Sequence, residues 1–181
     1  MTRKQPDALR QRLIDMAIRI GVQDGLGALT VQAVAGAAGV SKGGLFHHFP
    51  SKQALVEGVV AHLLDRIDAE IDALIAADPQ PWGRFTRAYV ITMLNSESFG
   101  CGTPWSALSV ALMTEPALAA QWAGWLSARL ARHADTDAAT PLAIARLAAD
   151  GAWLSHATGA SHGLDPAEVA DRLAPLMTAP G

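Results

Sequence analysis

One stretch near the start of the chain concentrates side chains able to bind a phosphate or the edge of a nucleic-acid base. It combines hydroxyls, ammonium groups, imidazoles, an aromatic ring and two glycines, and the candidate binding residues are Thr30, Ser41, Lys42, Gly43, Gly44, Phe46, His47, His48 and Lys52. Ammonium and hydroxyl groups bind phosphate oxygens, while glycines let a backbone come close to a ligand. This set favours recognition of a polyanion.

The spacing of apolar residues predicts the helices that carry this set. A first helix is predicted over 7–24, because apolar residues recur on one of its faces: Leu9, Leu13, Met16 and Ile20. Thr30 is a candidate N-cap for a second helix that ends at Gly39. Ser41 is a candidate N-cap for a third helix, which Pro50 ends. Two short helices joined by a turn that contains glycine have the helix-turn-helix layout.

Helical patterns continue to the end of the chain. Ser51 is a candidate N-cap for a long fourth helix that ends near Asp78, and its apolar stripe consists of Leu55, Val59, Leu63, Ile67, Ile71 and Leu74. Further helices are predicted at about 82–96, 105–112, 116–133, 141–159 and 166–178. The fold class is therefore all-α with about nine helices. We predict a domain over 1–54 that contains the helix-turn-helix layout and a second helical domain over 55–181.

The charge is divided unevenly along the chain. The formal net charge is −3. Residues 1–55 carry seven Lys and Arg against three Asp, a net +4, and the other residues carry seven against fourteen acids, a net −7. A basic first part on an acidic remainder is typical of a protein that presents one end to a polyanion.

The stretch from Leu29 to Lys52 resembles the DNA-binding signature of the TetR family. The matching residues are Leu29-Thr-Val, Val34-Ala and the run Ala38-Gly-Val-Ser-Lys-Gly-Gly-Leu-Phe-His-His-Phe-Pro-Ser-Lys52, and the resemblance covers about residues 10–60. It implies that 41–48 is a recognition helix in the major groove of double-stranded DNA, with Leu45 and Phe49 anchoring it from behind.

The resemblance also implies individual roles. Thr30 and Lys52 would hold phosphates, while Lys42, Gly44 and His47 would select sequence. Phe46 stands where the family usually has tyrosine, and His48 matches the usual histidine. Alternatives remain open: the two glycines are also consistent with a loop, and the basic residues Arg3, Lys4 and Arg10 with either a DNA-contacting arm or a solvated tail. The adjacent histidines lack further ligands nearby, so no metal is expected.

For the second part, the resemblance implies a homodimer through the helices at 141–159 and 166–178, and a pocket for a small effector. The first of these helices is rich in small residues that allow close helix approach, Ala145, Ala148, Ala149, Gly151 and Ala152, and the second has an apolar edge of Val169, Leu173, Leu176 and Met177. Candidate pocket residues are Met93, Phe99, Trp105, Trp122, Trp125, Trp153 and His156. Their uncharged character favours an apolar or aromatic effector, although for any single one of them a place in the core is the favoured interpretation.

The function predicted from these patterns is a ligand-responsive repressor released from a palindromic operator. A rival interpretation, an enzyme that uses His156, His162, Asp150 or Cys101, has no Ser/His/Asp or metal-ligand spacing behind it, so neither catalysis nor a cofactor is expected. An activator or a ligand-blind architectural factor remains open. The single cysteine, Cys101, is interpreted as a passive thiol rather than a redox sensor. It favours a reducing cytoplasm, and the absence of a secretory signal or long apolar run favours a soluble protein.

Overall fold

The computed structural model describes residues 4–160 and 163–179, apart from the side chains of residues 4–6, 107, 111 and 112. It contains α1 (Lys4–Asp24), α2 (Val31–Ala38), α3 (Lys42–His48), α4 (Lys52–Ala77), α5 (Arg84–Asn95), α6 (Pro104–Met113), α7 (Pro116–Arg132), α8 (Ala134–Asp137), α9 (Thr140–Ala157), α10 (Pro166–Leu173) and a closing 3₁₀ turn, Ala174–Met177. Within these ranges there is no strand, which confirms the all-α prediction. No helix in the described ranges is long and apolar enough to cross a membrane.

Two details differ from the expected nine helices. The structure adds α8, a four-residue helix too short to show a periodic pattern. The last predicted helix is α-helical only to Leu173 and then tightens into the 3₁₀ turn. Pro175 lies in that turn, and because proline has no N–H it cannot continue the α-helical hydrogen-bond ladder.

The chain divides into two compact units, one through Leu63 and one from Leu64 onward. The division falls inside α4, so the first part of this helix packs with α1–α3 and the rest belongs to the second unit. The boundary after residue 54 stays a prediction about function, since it separates the candidate DNA-binding residues from the remainder.

Local side-chain caps define the helices of the first unit. Thr30 Oγ1 accepts a hydrogen bond from the Ala33 backbone N–H at 3.1 Å, and Ser51 Oγ accepts one from the Ala54 N–H at 3.0 Å. Gly39 ends α2 with a φ of 68°, a conformation that glycine adopts without steric cost. The predicted N-caps and the glycine stop are thus confirmed.

The core of the first unit lies behind α3. Leu45 is completely buried, and Phe49 is nearly so, as the sequence pattern predicts. A Cβ built on Gly58 of α4 would lie 2.7 Å from Phe49 Cε1, so only glycine lets α4 pack this closely on the Phe49 ring. The Arg10 guanidinium carbon lies 4.9 Å from the centroid of the same ring. Phe49 therefore holds the end of α3 between α1 and α4.

The second unit is built around α5 and α9. Its apolar cluster consists of Val90, Leu94, Leu142, Ala145, Ala149, Leu173 and Met177. Arg87 connects the segment between α4 and α5 with the final 3₁₀ turn. Its Nε pairs with Asp78 Oδ2 at 2.7 Å. Its Nη1 donates to the carbonyl oxygens of Trp82 and Met177 at 2.8 and 2.7 Å. One half-buried guanidinium therefore fixes both the segment before α5 and the closing 3₁₀ turn.

A buried polar network also connects α5, α8 and α9. Asp137 Oδ1 accepts hydrogen bonds from the Thr86 backbone N–H at 2.8 Å and from Thr86 Oγ1 at 2.6 Å. Arg146 Nη1 donates to Thr86 Oγ1. The buried acid and the buried guanidinium thus share one threonine, which satisfies polar groups that would otherwise be costly to bury.

Candidate nucleic-acid interface

The outer face of α3 is free of packing within the first unit. Lys42, Gly43, Phe46 and His47 are exposed, whereas Leu45 on the opposite face is buried. Residues four apart on a helix are neighbours, so the exposed face consists of two pairs, Lys42 with Phe46 and Gly43 with His47. A seven-residue helix with a buried anchor and an unoccupied outer face has the shape required to enter a major groove.

The two glycines of α3 have no structural role inside the unit. Neither has a positive φ, and the helix begins regularly because Ser41 Oγ accepts a hydrogen bond from the Gly44 N–H at 3.1 Å. A Cβ on Gly43 would meet only Ser41 Oγ at 3.9 Å, and one on Gly44 would meet the same atom at 3.5 Å, both ordinary contacts. The loop alternative for this segment is therefore wrong. What the glycines provide is a bare backbone on the outer side.

The aromatic side chains of α3 differ in their exposure. Lys42 Nζ lies 5.6 Å from the centroid of the Phe46 ring, a cation–π distance. The His47 and His48 rings meet edge to face with centroids 5.6 Å apart. His47 is exposed and His48 half-buried. Among the described residues no group of three metal-ligating side chains could hold a metal ion.

Thr30 and Lys52 lie at the starts of α2 and α4, and both are exposed. Backbone N–H groups in the first turn of a helix attract anions, because the helix itself leaves them without partners. None of the nine candidate binding residues is buried, and all lie in the unit that ends at Leu63. Three basic residues near the start of the chain were considered as a DNA-contacting arm: Arg3, Lys4 and Arg10. Arg3 lies outside the described residues, and the Lys4 side chain is not described. Arg10 contacts Phe49.

The candidate pocket residues of the second unit form two aromatic pairs and three separate positions. The ring centroids of Phe99 and Trp105 are 6.4 Å apart, and those of Trp122 and Trp125 are 4.9 Å apart. Met93 is buried on α5, and Trp153 packs against the apolar cluster of this unit. His156 is exposed and lines an open groove of about 490 Å³ between α9 and α10.

Sequence patterns did not predict the contacts between the second half of α4 and α7. The Trp125 indole N–H donates to Asp68 Oδ1 at 2.7 Å. Arg129, which is almost fully buried, places Nη2 2.6 Å from Asp72 Oδ1 and Nε 3.4 Å from Asp68 Oδ1. Asp68 and Asp72 are four residues apart and therefore lie on the same face of α4. This spacing does not by itself identify which helix supplies their partners.

Burial is the main cause of the pKa shifts of three groups in the second unit, Asp150, His133 and Cys101. Burial raises the pKa of Asp150, although a hydrogen bond of 2.5 Å from the Tyr89 hydroxyl opposes that shift. Burial also lowers the pKa of His133, and the nearby Arg129 lowers it further. Burial raises the pKa of the Cys101 thiol, which keeps it protonated near neutral pH. Its Sγ lies 3.8 Å from the Met93 carbonyl oxygen.

Comparison with family models decides the classification. Residues 13–59 match the model described as bacterial regulatory proteins, tetR family, and residues 83–179 match the model described as tetracyclin repressor-like, C-terminal domain. The second match alone covers more than half of the chain. This chain belongs to the TetR family.

Individual relatives agree with this classification. The HTH-type transcriptional repressor KstR2 of Mycolicibacterium smegmatis is 32% identical over 89 residues, which are 49% of this chain and 43% of that protein. KstR2 of Rhodococcus jostii is 35% identical over 68 residues, 38% of this chain and 33% of that protein. The matched segment thus spans less than half the length of these curated relatives.

Two solved structures share the fold. The multidrug binding protein EbrR, solved with malachite green, has a TM-score of 0.71 at 24% identity and covers 94% of this chain and 98% of its own. The TetR-family member SCO1917 of Streptomyces coelicolor A3 has a TM-score of 0.61 at 26% identity. The match covers 94% of this chain and 99% of the SCO1917 chain. Both support the same all-helical architecture.

In this TetR-family chain the face of α9 available to a partner differs from the expected one. Ala145 and Ala149 are buried in the core of their own unit, as are Leu173 and Met177 after the loop. Of the small residues expected at the interface, Gly151 is exposed, and it shares the exposed stripe of α9 with Ile144, Leu147 and Leu154, of which Leu147 is 69% exposed. Their spacings of three, four and three residues place them on one face of the helix. Periodicity identified an apolar helix but could not tell which of its faces the core covers.

Proposed function

We propose that this chain is a DNA-binding transcriptional repressor that acts as a homodimer in the cytoplasm and leaves a palindromic operator when a small apolar or aromatic effector binds. The observation that carries DNA binding is the outer face of α3, which is exposed, bare at Gly43 and anchored from behind by Leu45. A face with no partner inside the unit, on the basic part of the chain, fits a DNA groove.

Within this proposal the binding residues have two tasks. Thr30 and Lys52 hold phosphates at the starts of α2 and α4, which fixes the register of the unit on the duplex. Lys42 and His47 reach base edges in the major groove, and Gly44 leaves space for the approach. Contacts of the first kind strengthen binding to every sequence, whereas contacts of the second kind discriminate between sequences.

The test is the salt dependence of DNA binding. Genomic fragments retained by the purified protein would be sequenced, and their affinity measured by fluorescence anisotropy over a range of salt concentrations. Lys52→Ala should weaken binding to all duplexes and reduce the slope of log K against log salt by about one unit. Arg19→Ala, which removes an exposed charge from α1, is the matched control and should leave the slope unchanged. An absence of salt-sensitive affinity for any duplex would refute the proposal.

A dimer is required because one short helix reads only a few base pairs, whereas a two-fold protein reads two half-sites. The exposed stripe of Ile144, Leu147 and Leu154 supports α9 as part of the interface, since large apolar side chains grouped on one face mark association sites. Leu147→Glu should convert the dimer to a monomer in analytical ultracentrifugation. Ile91→Glu introduces the same charge at an exposed apolar residue of α5 and serves as the control. A wild type that is monomeric at micromolar concentration would contradict the dimer.

Effector release is proposed to act through α4. This helix belongs to both units, and its second half is held to α7 by the hydrogen bond between Asp68 and Trp125 and by the Asp72–Arg129 ion pair. An effector that packs against the Trp122–Trp125 pair would disturb these contacts and shift α4. To weaken operator binding a hundredfold, its affinities for the two arrangements must differ by about 2.7 kcal/mol.

Malachite green, the compound bound to EbrR, is a suitable aromatic probe of this step. Its binding would be followed by tryptophan fluorescence, and operator affinity would be measured with and without the dye. We expect saturable quenching together with weaker operator binding. Trp125→Phe keeps an aromatic ring but removes the indole N–H that reaches Asp68, so it should bind the dye and yet transmit less of the effect. Tight dye binding with unchanged operator affinity would argue against the role of α4.

A further inference from the structure

Phe46 is exceptional in the first unit. Among the residues that the structure describes up to Leu63, it is the one large apolar side chain that is exposed, at 38%. The neighbouring Leu45 already anchors α3 in the core and is completely buried. Although the rest of the Phe46 side chain is covered, a substantial apolar surface faces outward, and this surface needs another explanation.

The chemistry of the ring restricts what it could contact on DNA. Phenylalanine has no hydroxyl, so it neither donates to a phosphate oxygen nor bonds a base edge. On the floor of the major groove the apolar group that projects from the bases is the C5-methyl group of thymine. Contact between the exposed ring and this methyl removes apolar surface of both partners from water.

Lys42 gives the position of that thymine. Lys42 and Phe46 are four residues apart, which corresponds to a rise of about 6 Å along α3. Base pairs in a duplex are separated by about 3.4 Å, so the two side chains span one or two base steps. Lys42 Nζ lies 5.6 Å from the ring centroid, which keeps the ammonium beside the ring rather than extended into solvent. Its preferred partner among base edges is guanine.

We propose that Phe46 is a specificity-determining residue that reads the methyl group of a thymine, within one or two base steps of a guanine bound by Lys42. The inference rests on the proposed function, because it requires that α3 enters the major groove. It goes further by naming the base, the atom group and the side chain that recognises it.

Replacement of thymine by deoxyuridine tests the proposal without changing the protein. Each thymine in a footprinted genomic site would be replaced by deoxyuridine, which removes the methyl group and keeps the base pair. Loss of one buried methyl corresponds to about fourfold weaker binding for one half-site, and to about fifteenfold when both half-sites are changed. We expect this loss at one thymine in each half-site, beside a guanine.

Three variants assign the effect to the ring. Phe46→Ala should bind thymine and deoxyuridine duplexes equally well, whereas Phe46→Tyr keeps the ring and should retain the preference. Lys42→Ala should bind more weakly but still prefer thymine. Circular dichroism would check that each variant is folded. We expect folding to be retained because the side chains of Lys42 and Phe46 are exposed.

The outcomes separate this inference from the proposed function. Salt-sensitive wild-type binding that is indifferent to deoxyuridine at every position, or a thymine preference that survives in Phe46→Ala, overturns the role of Phe46 and leaves DNA binding intact. If the wild type binds no duplex in a salt-sensitive way, the proposed function fails and the role of Phe46 fails with it.

Discussion

Replacement of Gly43 by alanine should stabilise the first unit and at the same time weaken DNA binding. The backbone of Gly43 has no positive φ, and the added Cβ would meet only Ser41 Oγ at 3.9 Å. Alanine restricts the unfolded chain and is favoured over glycine in helices by up to about 1 kcal/mol. The same methyl group, on the outer face of α3, would hold the helix away from the bases. A loss of tenfold or more in operator affinity, about 1.4 kcal/mol, is expected.

Gly36→Ala supplies the matched control. Gly36 lies within α2, is exposed, and a Cβ there would meet no atom within 4 Å. It should therefore stabilise the unit by a similar amount and leave operator affinity unchanged. All five tryptophans lie beyond residue 63, so stability is best measured by hydrogen exchange of amides in α1–α3, and affinity by fluorescence anisotropy. Unchanged affinity in Gly43→Ala would show that α3 does not approach DNA through this backbone.

Three further predictions concern packing and charge. Gly58→Ala should destabilise the first unit by about 1–3 kcal/mol in hydrogen exchange, because the new Cβ would lie 2.7 Å from Phe49 Cε1; a neutral effect would show that the ring moves freely. Arg87→Ala should lower the free energy of unfolding of the second unit by about 3 kcal/mol in urea, since the Trp82 and Met177 carbonyls lose their donor; a loss below about 1 kcal/mol would contradict this role. The hydrogen bond from Arg87 lowers the pKa of Asp78 below its usual 3.8, so the ionised carboxylate contributes stability above that pH and loses it as the pH falls through the lowered value. The difference in unfolding free energy between wild type and Asp78→Asn should therefore have its largest value at about pH 6 and decrease below about pH 4. A difference that does not change with pH would refute the assignment.

The helix-turn-helix layout and most helix boundaries could be predicted from the amino-acid sequence alone. Thr30, Ser41 and Ser51 each cap the helix that follows, and Gly39 ends α2, because these signals act on backbone groups within four residues. The inward positions of Leu45 and Phe49 followed from the family resemblance, and their separation of four residues agrees with it. Local hydrogen bonding and periodicity are properties of a short segment, so they can be predicted without its neighbours.

In contrast, tertiary contacts determine which helix faces are covered and which side chains distant in sequence meet. Periodicity placed Ala145 and Ala149 on an apolar helix, but the contacts of α9 with α5 and α10 bury them and leave Ile144 and Leu147 outside. The hydrogen bond between Asp68 and Trp125 joins residues 57 positions apart, which no local pattern encodes. Burial of a face depends on the surfaces that pack against it, and those surfaces come from elsewhere in the chain.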